Sequence, residues 1–112
     1  MDISTELRGE VLIAKAQDRI DGANAREFQD ALQAAIDDHD GAMVLDMEDL
    51  TYISSAGLRV ILLIARVLQR NNNELALCSL SGPVREIFQI SGFDKIIQTH
   101  DSQADAIASV GG

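Results

Sequence analysis

The chain has no tryptophan, one tyrosine, three phenylalanines, one proline and one cysteine among its 112 residues. A single cysteine, Cys78, excludes an internal disulfide and a thiolate zinc cage, and His39 and His100 stand far apart without metal-ligand spacing. Neither a metal nor a cofactor is expected. Positive charge is equally scarce: 9 Lys and Arg face 18 Asp and Glu, a formal net charge of -9. That balance opposes attraction to a phosphate backbone or an anionic membrane surface and argues against nucleic-acid binding. Long hydrophobic runs are missing too. The longest, Val60 to Ala65, falls far short of the roughly 20 apolar residues of a membrane helix, so no membrane insertion is expected. The opening MDISTELRGE places acidic residues where a secretory leader would carry a basic region and an apolar stretch. With no disulfide to form, the expected compartment is the cytoplasm.

What is present suffices for a core. Hydrophobic residues make up 46% and charged residues 24%, ordinary globular usage, and no repeat or Pro/Gly-rich linker divides the chain. One domain over 1-112 is expected, with Gly111 and Gly112 frayed and a monomer as the free state.

The periodicities give an order of elements. Ile3, Thr5 and Leu7 alternate with polar residues and, after Arg8-Gly9-Glu10, Val11 to Ala14 reads as the second strand of a hairpin. Beyond an expected loop from Asp18 to Gly22, Ala25, Phe28, Leu32, Ala35 and Ile36 recur at helical spacing, with Asn24 placed to cap them and His39-Asp40-Gly41 to end them. Met43-Val44-Leu45 reads as a strand, and Asp46-Met47-Glu48-Asp49 as the start of a loop running to Ser55. From Ala56 to Arg70 only Arg59, Arg66, Gln69 and Arg70 interrupt a largely apolar helix. Asn71 to Asn73 break it, Leu75 to Cys78 form a strand, and Pro83 opens a helix with Val84, Ile87 and Phe88 inward that ends near Gly92. Ile96-Ile97 reads as a last strand, and Ser102 with Asp105 as a capping box for a helix burying Ala106, Ile107 and Val110. The order β-β-α-β-α-β-α-β-α predicts an α/β fold: a mixed, mostly parallel sheet with an N-terminal antiparallel hairpin and about four helices, and functional loops beyond the carboxyl ends of its parallel strands.

Ser54 and Ser55 stand where the long helix begins. A serine there can simply cap the helix, or can present a hydroxyl where free amides and the helix dipole favour a phosphate. Arg59, Leu63, Arg66 and Arg70 follow at i, i+4, i+7 and i+11 spacing, one stripe of that helix. Three of nine cations gathered there read either as a solvated face or as a partner surface. Cys78 reads as a small buried hydrophobe.

The segment YISSAGLRVILL, preceded by VLDMEDL and followed by LALCSLSGPVREIFQISGFDKII, resembles a STAS domain of the bacterial anti-sigma factor antagonist family over almost the whole chain. The resemblance implies a switch without catalysis. The unmodified protein binds an ATP-dependent serine kinase that doubles as an anti-sigma factor, releasing a sigma factor; phosphorylation by that kinase ends the interaction and a metal-dependent serine phosphatase restores it. The family's phosphorylated serine precedes a small residue and then Gly-Leu, which here is Ser55 before Ala56, Gly57 and Leu58. Many members carry an aspartate immediately before that serine, where this chain has Ser54, so Ser54 is a second possible acceptor. The family's acidic residue before the first helix is matched by Asp21 in RIDGANA, with Asn24 beside it; Asp21 also fits a plain turn aspartate. The implied partner surface therefore comprises Asp21, Asn24, Ser54, Ser55, Ala56, Gly57, Leu58, Arg59, Leu63 and Arg66. A phosphate at Ser55, about -1.5 to -2 charges, would stand beside Asp21 and an acidic edge of Asp46, Glu48 and Asp49.

Two other readings are weaker. Asp46 at a strand end resembles the acceptor aspartate of response-regulator receivers, but Lys15 and Lys95 do not fall in their pattern. No Walker loop or nucleophile elbow occurs, so no enzyme activity is expected. Related STAS proteins serve other partner-switching outputs or lipid-transport ATPase complexes, as interaction modules that need no phosphate.

Overall fold

The computed structural model describes residues 3–111. The hairpin forms as expected: β1 (Ser4–Arg8) pairs antiparallel with β2 (Val11–Ile20) across a tight turn in which Gly9 takes φ 63°, a left-handed conformation costly for any residue with a Cβ. Helix α1 (Ala25–Asp37), strand β3 (Met43–Ile53), helix α2 (Ser55–Arg70), strand β4 (Leu75–Cys78), helix α3 (Gly82–Ser91), strand β5 (Thr99–His100) and helix α4 (Gln103–Ser109) follow. The strands lie side by side in sequence order, and β2 to β5 are parallel. The molecule measures 30 × 26 × 23 Å.

Alternation along the strands divides the core between the two faces of the sheet. Leu12, Ala14, Met43, Leu45, Leu75 and Leu77 meet Phe28 and Leu32 of α1, Ile61 and Ile64 of α2, and Val84 and Phe88 of α3. On the opposite face Val11, Ile13, Val44, Ala76 and Cys78 meet a single buried residue of α4, Ala106. The first core is much the larger because three helices cover it. Residue Gly112 of the frayed tail expected at the C-terminus lies outside the described residues, and Gly111 takes φ 98°.

Three expectations are corrected. Strand β2 runs to Ile20, absorbing Asp18, Arg19 and Ile20 of the loop expected from Asp18 to Gly22, and β3 runs to Ile53 through all of Asp46 to Asp49. Their charges misled because parallel pairing supplies the compensation: Lys15 lies opposite Asp46 and its Nζ stands 4.0 Å from the Asp46 carboxylate and 3.8 Å from that of Asp49. Ile96-Ile97 is not a strand. Gly92 in a left-handed conformation ends α3, a 3-10 turn at Phe93–Lys95 follows, Ile97 packs into the core, and Thr99–His100 make the ladder with Leu77–Cys78. Strand β1, at the edge of the sheet, is solvent-exposed along its length, Leu7 included.

Candidate functional site at the start of helix α2

Parallel strands place the loops after β2 and β3 at one end of the sheet, and these two strands are neighbours. The Ser54 amide donates to the Ile20 carbonyl at 2.8 Å, which brings Asp21 next to the start of α2. The segments around residues 21 and 55, far apart in sequence, thus form one surface.

At Ser54 the backbone is still extended, at φ -87° and ψ 172°, and the side-chain oxygen accepts a hydrogen bond from the Gly57 amide at 3.3 Å. This is N-cap geometry. Ser55 is the first helical residue and is exposed. Of two hydroxyls that the sequence leaves equivalent, one is engaged in capping and the other is presented to solvent. Gly57 is buried against the ends of β2 and β3; a Cβ there would stand 2.6 Å from Ile53 Cγ1 and 2.7 Å from Ile20 Cγ2. Only glycine lets the first turn of α2 seat so close to the strands.

Asp21 organises the other half. Its carboxylate accepts from the Ala23 amide at 2.9 Å and from Arg19 Nε at 3.0 Å, and its carbonyl accepts from the Ala25 amide at 2.9 Å. The Ala23 amide first, then the Arg19 guanidinium, holds the Asp21 carboxyl below the ordinary aspartate pKa. Asn24 does not cap α1 with its side chain; its Oδ1 accepts from the Asp21 amide and its Nδ2 donates to the Arg19 carbonyl, each at 2.9 Å. The reason is geometric: the loop turns back on itself, so the amide group is spent closing the turn.

Sequence reasoning missed an apolar groove of about 320 Å³ beside Ser55, lined by Tyr52, Ile53, Leu58, Ile87 and Ile90 with the two serines and Ser91. Ile90 is 80% exposed. Arg19 lies over the Tyr52 ring at 4.9 Å, linking this groove to Asp21. An outward isoleucine next to the inward pair Ile87 and Phe88 was the available signal in α3.

Along α2, Arg59, Leu63, Arg66 and Arg70 are all exposed on one face, whereas Gly57, Leu58, Val60, Ile61, Ile64 and Leu68 are buried. Asp46 is not part of the site. It is 3% exposed, on the sheet face covered by α4, where its carboxylate accepts from the Glu48 amide at 3.0 Å and from Gln103 Nε2 at 2.9 Å. The acidic edge expected from Asp46, Glu48 and Asp49 therefore does not border Ser55, because Asp46 and Asp49 face Lys15; Asp21 supplies the nearby negative charge. Cys78 is fully buried, and burial pushes its thiol up to about 11. Among the described residues no group of three His, Cys, Asp or Glu converges to hold a metal ion, and no helix is long and apolar enough to cross a membrane.

A family model described as STAS domain matches residues 2–106. The chain is 44% identical over 99 residues to BtrV of Bordetella bronchiseptica, assigned by name to the anti-sigma factor antagonists, covering 88% of this chain and 85% of that protein. It is 25% identical over 114 residues to the anti-sigma F factor antagonist of Paenibacillus polymyxa, covering 98% and 95%. A crystal structure of an anti-sigma factor antagonist from Mycobacterium paratuberculosis superposes with a TM-score of 0.89 at 21% identity, covering 99% of this chain and 94% of the other.

Proposed function

The chain belongs to the STAS domain family, and from that premise we propose that it is an anti-sigma factor antagonist working by partner switching in the cytoplasm, the whole chain acting as one STAS unit. The unmodified protein binds an anti-sigma serine kinase and so frees a sigma factor. Phosphorylation of Ser55 ends that binding and a metal-dependent serine phosphatase restores it. The observation that carries this reading is the division between the two serines: Ser55 is exposed at the first position of α2 while the Ser54 side chain caps the helix start. A kinase can therefore reach the hydroxyl without unwinding the helix.

The surface around Ser55 suits a protein partner. It combines an apolar groove with a fixed carboxylate, Asp21, and with Arg59 one turn further along α2. A phosphate adds about two negative charges beside Asp21 and the groove. An interface fitted to a neutral hydroxyl then meets both a like charge and a group that must be desolvated, which costs several kcal/mol when close.

The test pairs two substitutions. Ser55→Ala is expected to bind the purified serine kinase with unchanged affinity and to take up no phosphate from ATP, whereas Ser55→Asp is expected to lose about 10-fold to 100-fold in affinity. Phosphate incorporation into Ser55→Ala would move the acceptor to Ser54. Equal kinase affinity of wild type and Ser55→Asp would overturn the switch.

A further inference from the structure

Five of the nine cationic side chains sit within 4.0 Å of a carboxylate: Arg8 with Glu6, Lys15 with Asp46 and Asp49, Arg19 with Asp21, Arg26 with Asp30, and Arg85 with Asp101. In a chain with two acids for every base, pairing is the ordinary fate of a cation. Arg59, Arg66 and Arg70 have no such carboxylate among the described residues, and all three project from the outer face of α2. Acids on the neighbouring α1 are engaged elsewhere, Asp30 by Arg26 and Asp37 by Gln33. Between the arginines, Leu63 is 39% exposed, and with Arg66, Gln69 and Arg70 it lines an open depression of about 560 Å³.

Resting on the partner-switching reading, we infer that the outer face of α2 from Arg59 to Arg70 is a docking strip for an acidic segment of the protein partner, with Ser55 at its end. The twelve residues from Arg59 to Arg70 make the strip roughly 16 Å long, which fits about three turns of a helix or a short extended acidic segment. The molecule as a whole carries a net charge of -9 with these three arginines counted in, so the surface outside α2 repels such a segment. Lys95 is the one other cation without such a carboxylate among the described residues, and it stands alone, so the cluster on α2 orients the partner and sets the encounter rate, while the Ser55 end decides whether the encounter becomes a complex. A nucleic acid carries uninterrupted charge far beyond a strip of roughly 16 Å and so meets the repulsion of the remaining surface along its length, whereas an acidic segment of a protein can be confined to the strip, which favours the protein partner. Leu63 gives the strip an apolar centre between charges, as an interface needs for a dry contact.

The experiment measures association and dissociation rates of the purified serine kinase with wild type, Arg66→Glu/Arg70→Glu and Arg66→Lys/Arg70→Lys, at low and physiological salt. Charge reversal is expected to slow association about 10-fold or more at low salt and to flatten its salt dependence, with dissociation little changed. The lysine pair is expected to keep most of the wild-type rate, since steering needs charge more than fork geometry. Circular dichroism checks that both variants are folded. Wild-type association rates and salt dependence in the folded reversal variant overturn the strip and leave the partner-switching reading standing. A kinase that binds no form of the protein overturns that reading, and the strip with it. A wild-type dimer in sedimentation equilibrium that charge reversal dissociates overturns the acidic partner in favour of a second copy of the chain.

Discussion

Ser54 and Ser55 differ in role because the backbone changes from extended to helical between them. The cap residue's oxygen accepts from the Gly57 amide, and the next residue is exposed. Two residues on, Gly57 fixes how near the helix start can come to the ends of β2 and β3. We expect Gly57→Ala to lower unfolding free energy by up to about 2 kcal/mol in urea denaturation: about 1–3 kcal/mol of overpacking against Ile20 and Ile53, offset by about 1 kcal/mol of better helix propensity. A raised midpoint would show that the two isoleucines yield freely and leave only the gain in helix propensity. The SSAGL segment was legible in the sequence as a site because capping and modification both draw on hydroxyls at a helix start. Which serine does which was not, since that depends on where the helix begins to within one residue.

Helix α4 is held unlike the other three. It has seven residues and one buried side chain, and its firmest tie is polar: Gln103 Nε2 to the buried carboxylate of Asp46. Removing that amide leaves Asp46 with the Glu48 amide and a distant Lys15, so Gln103→Ala is expected to cost about 1–3 kcal/mol. Amide exchange over Ala106–Ser109 should quicken while the three-helix face stays protected; uniform quickening would mean that α4 and the sheet open together. Helices α1 to α3 were legible because each carries a periodic apolar face, and Pro83 and Gly92 mark the bounds of α3. The ends of β2 and β3 were not. Asp18, Arg19, Asp46 and Asp49 look like loop residues until a parallel register sets Lys15 opposite Asp46, a non-local fact that no window of sequence contains. Ile96-Ile97 misled for the converse reason, an apolar pair of which only Ile97 reaches the core.

At the scale of the molecule, 18 acids against 9 bases on so small a body repel one another. Adding salt from a few millimolar to about 0.15 M should therefore raise the thermal midpoint, as screening shortens the reach of that repulsion to about 8 Å. A midpoint that falls would assign more weight to the surface ion pairs of Arg19 and Arg26 than to the net charge. The same 8 Å sets a limit on how far news of a modification travels. The longest dimension is 30 Å, so a phosphate at the Ser55 end is electrostatically invisible at the far end, where Glu10, Asp40 and Glu74 line an open cleft. At physiological salt the two ends of the sheet are electrostatically insulated from each other, so the charge added at Ser55 acts at that end alone.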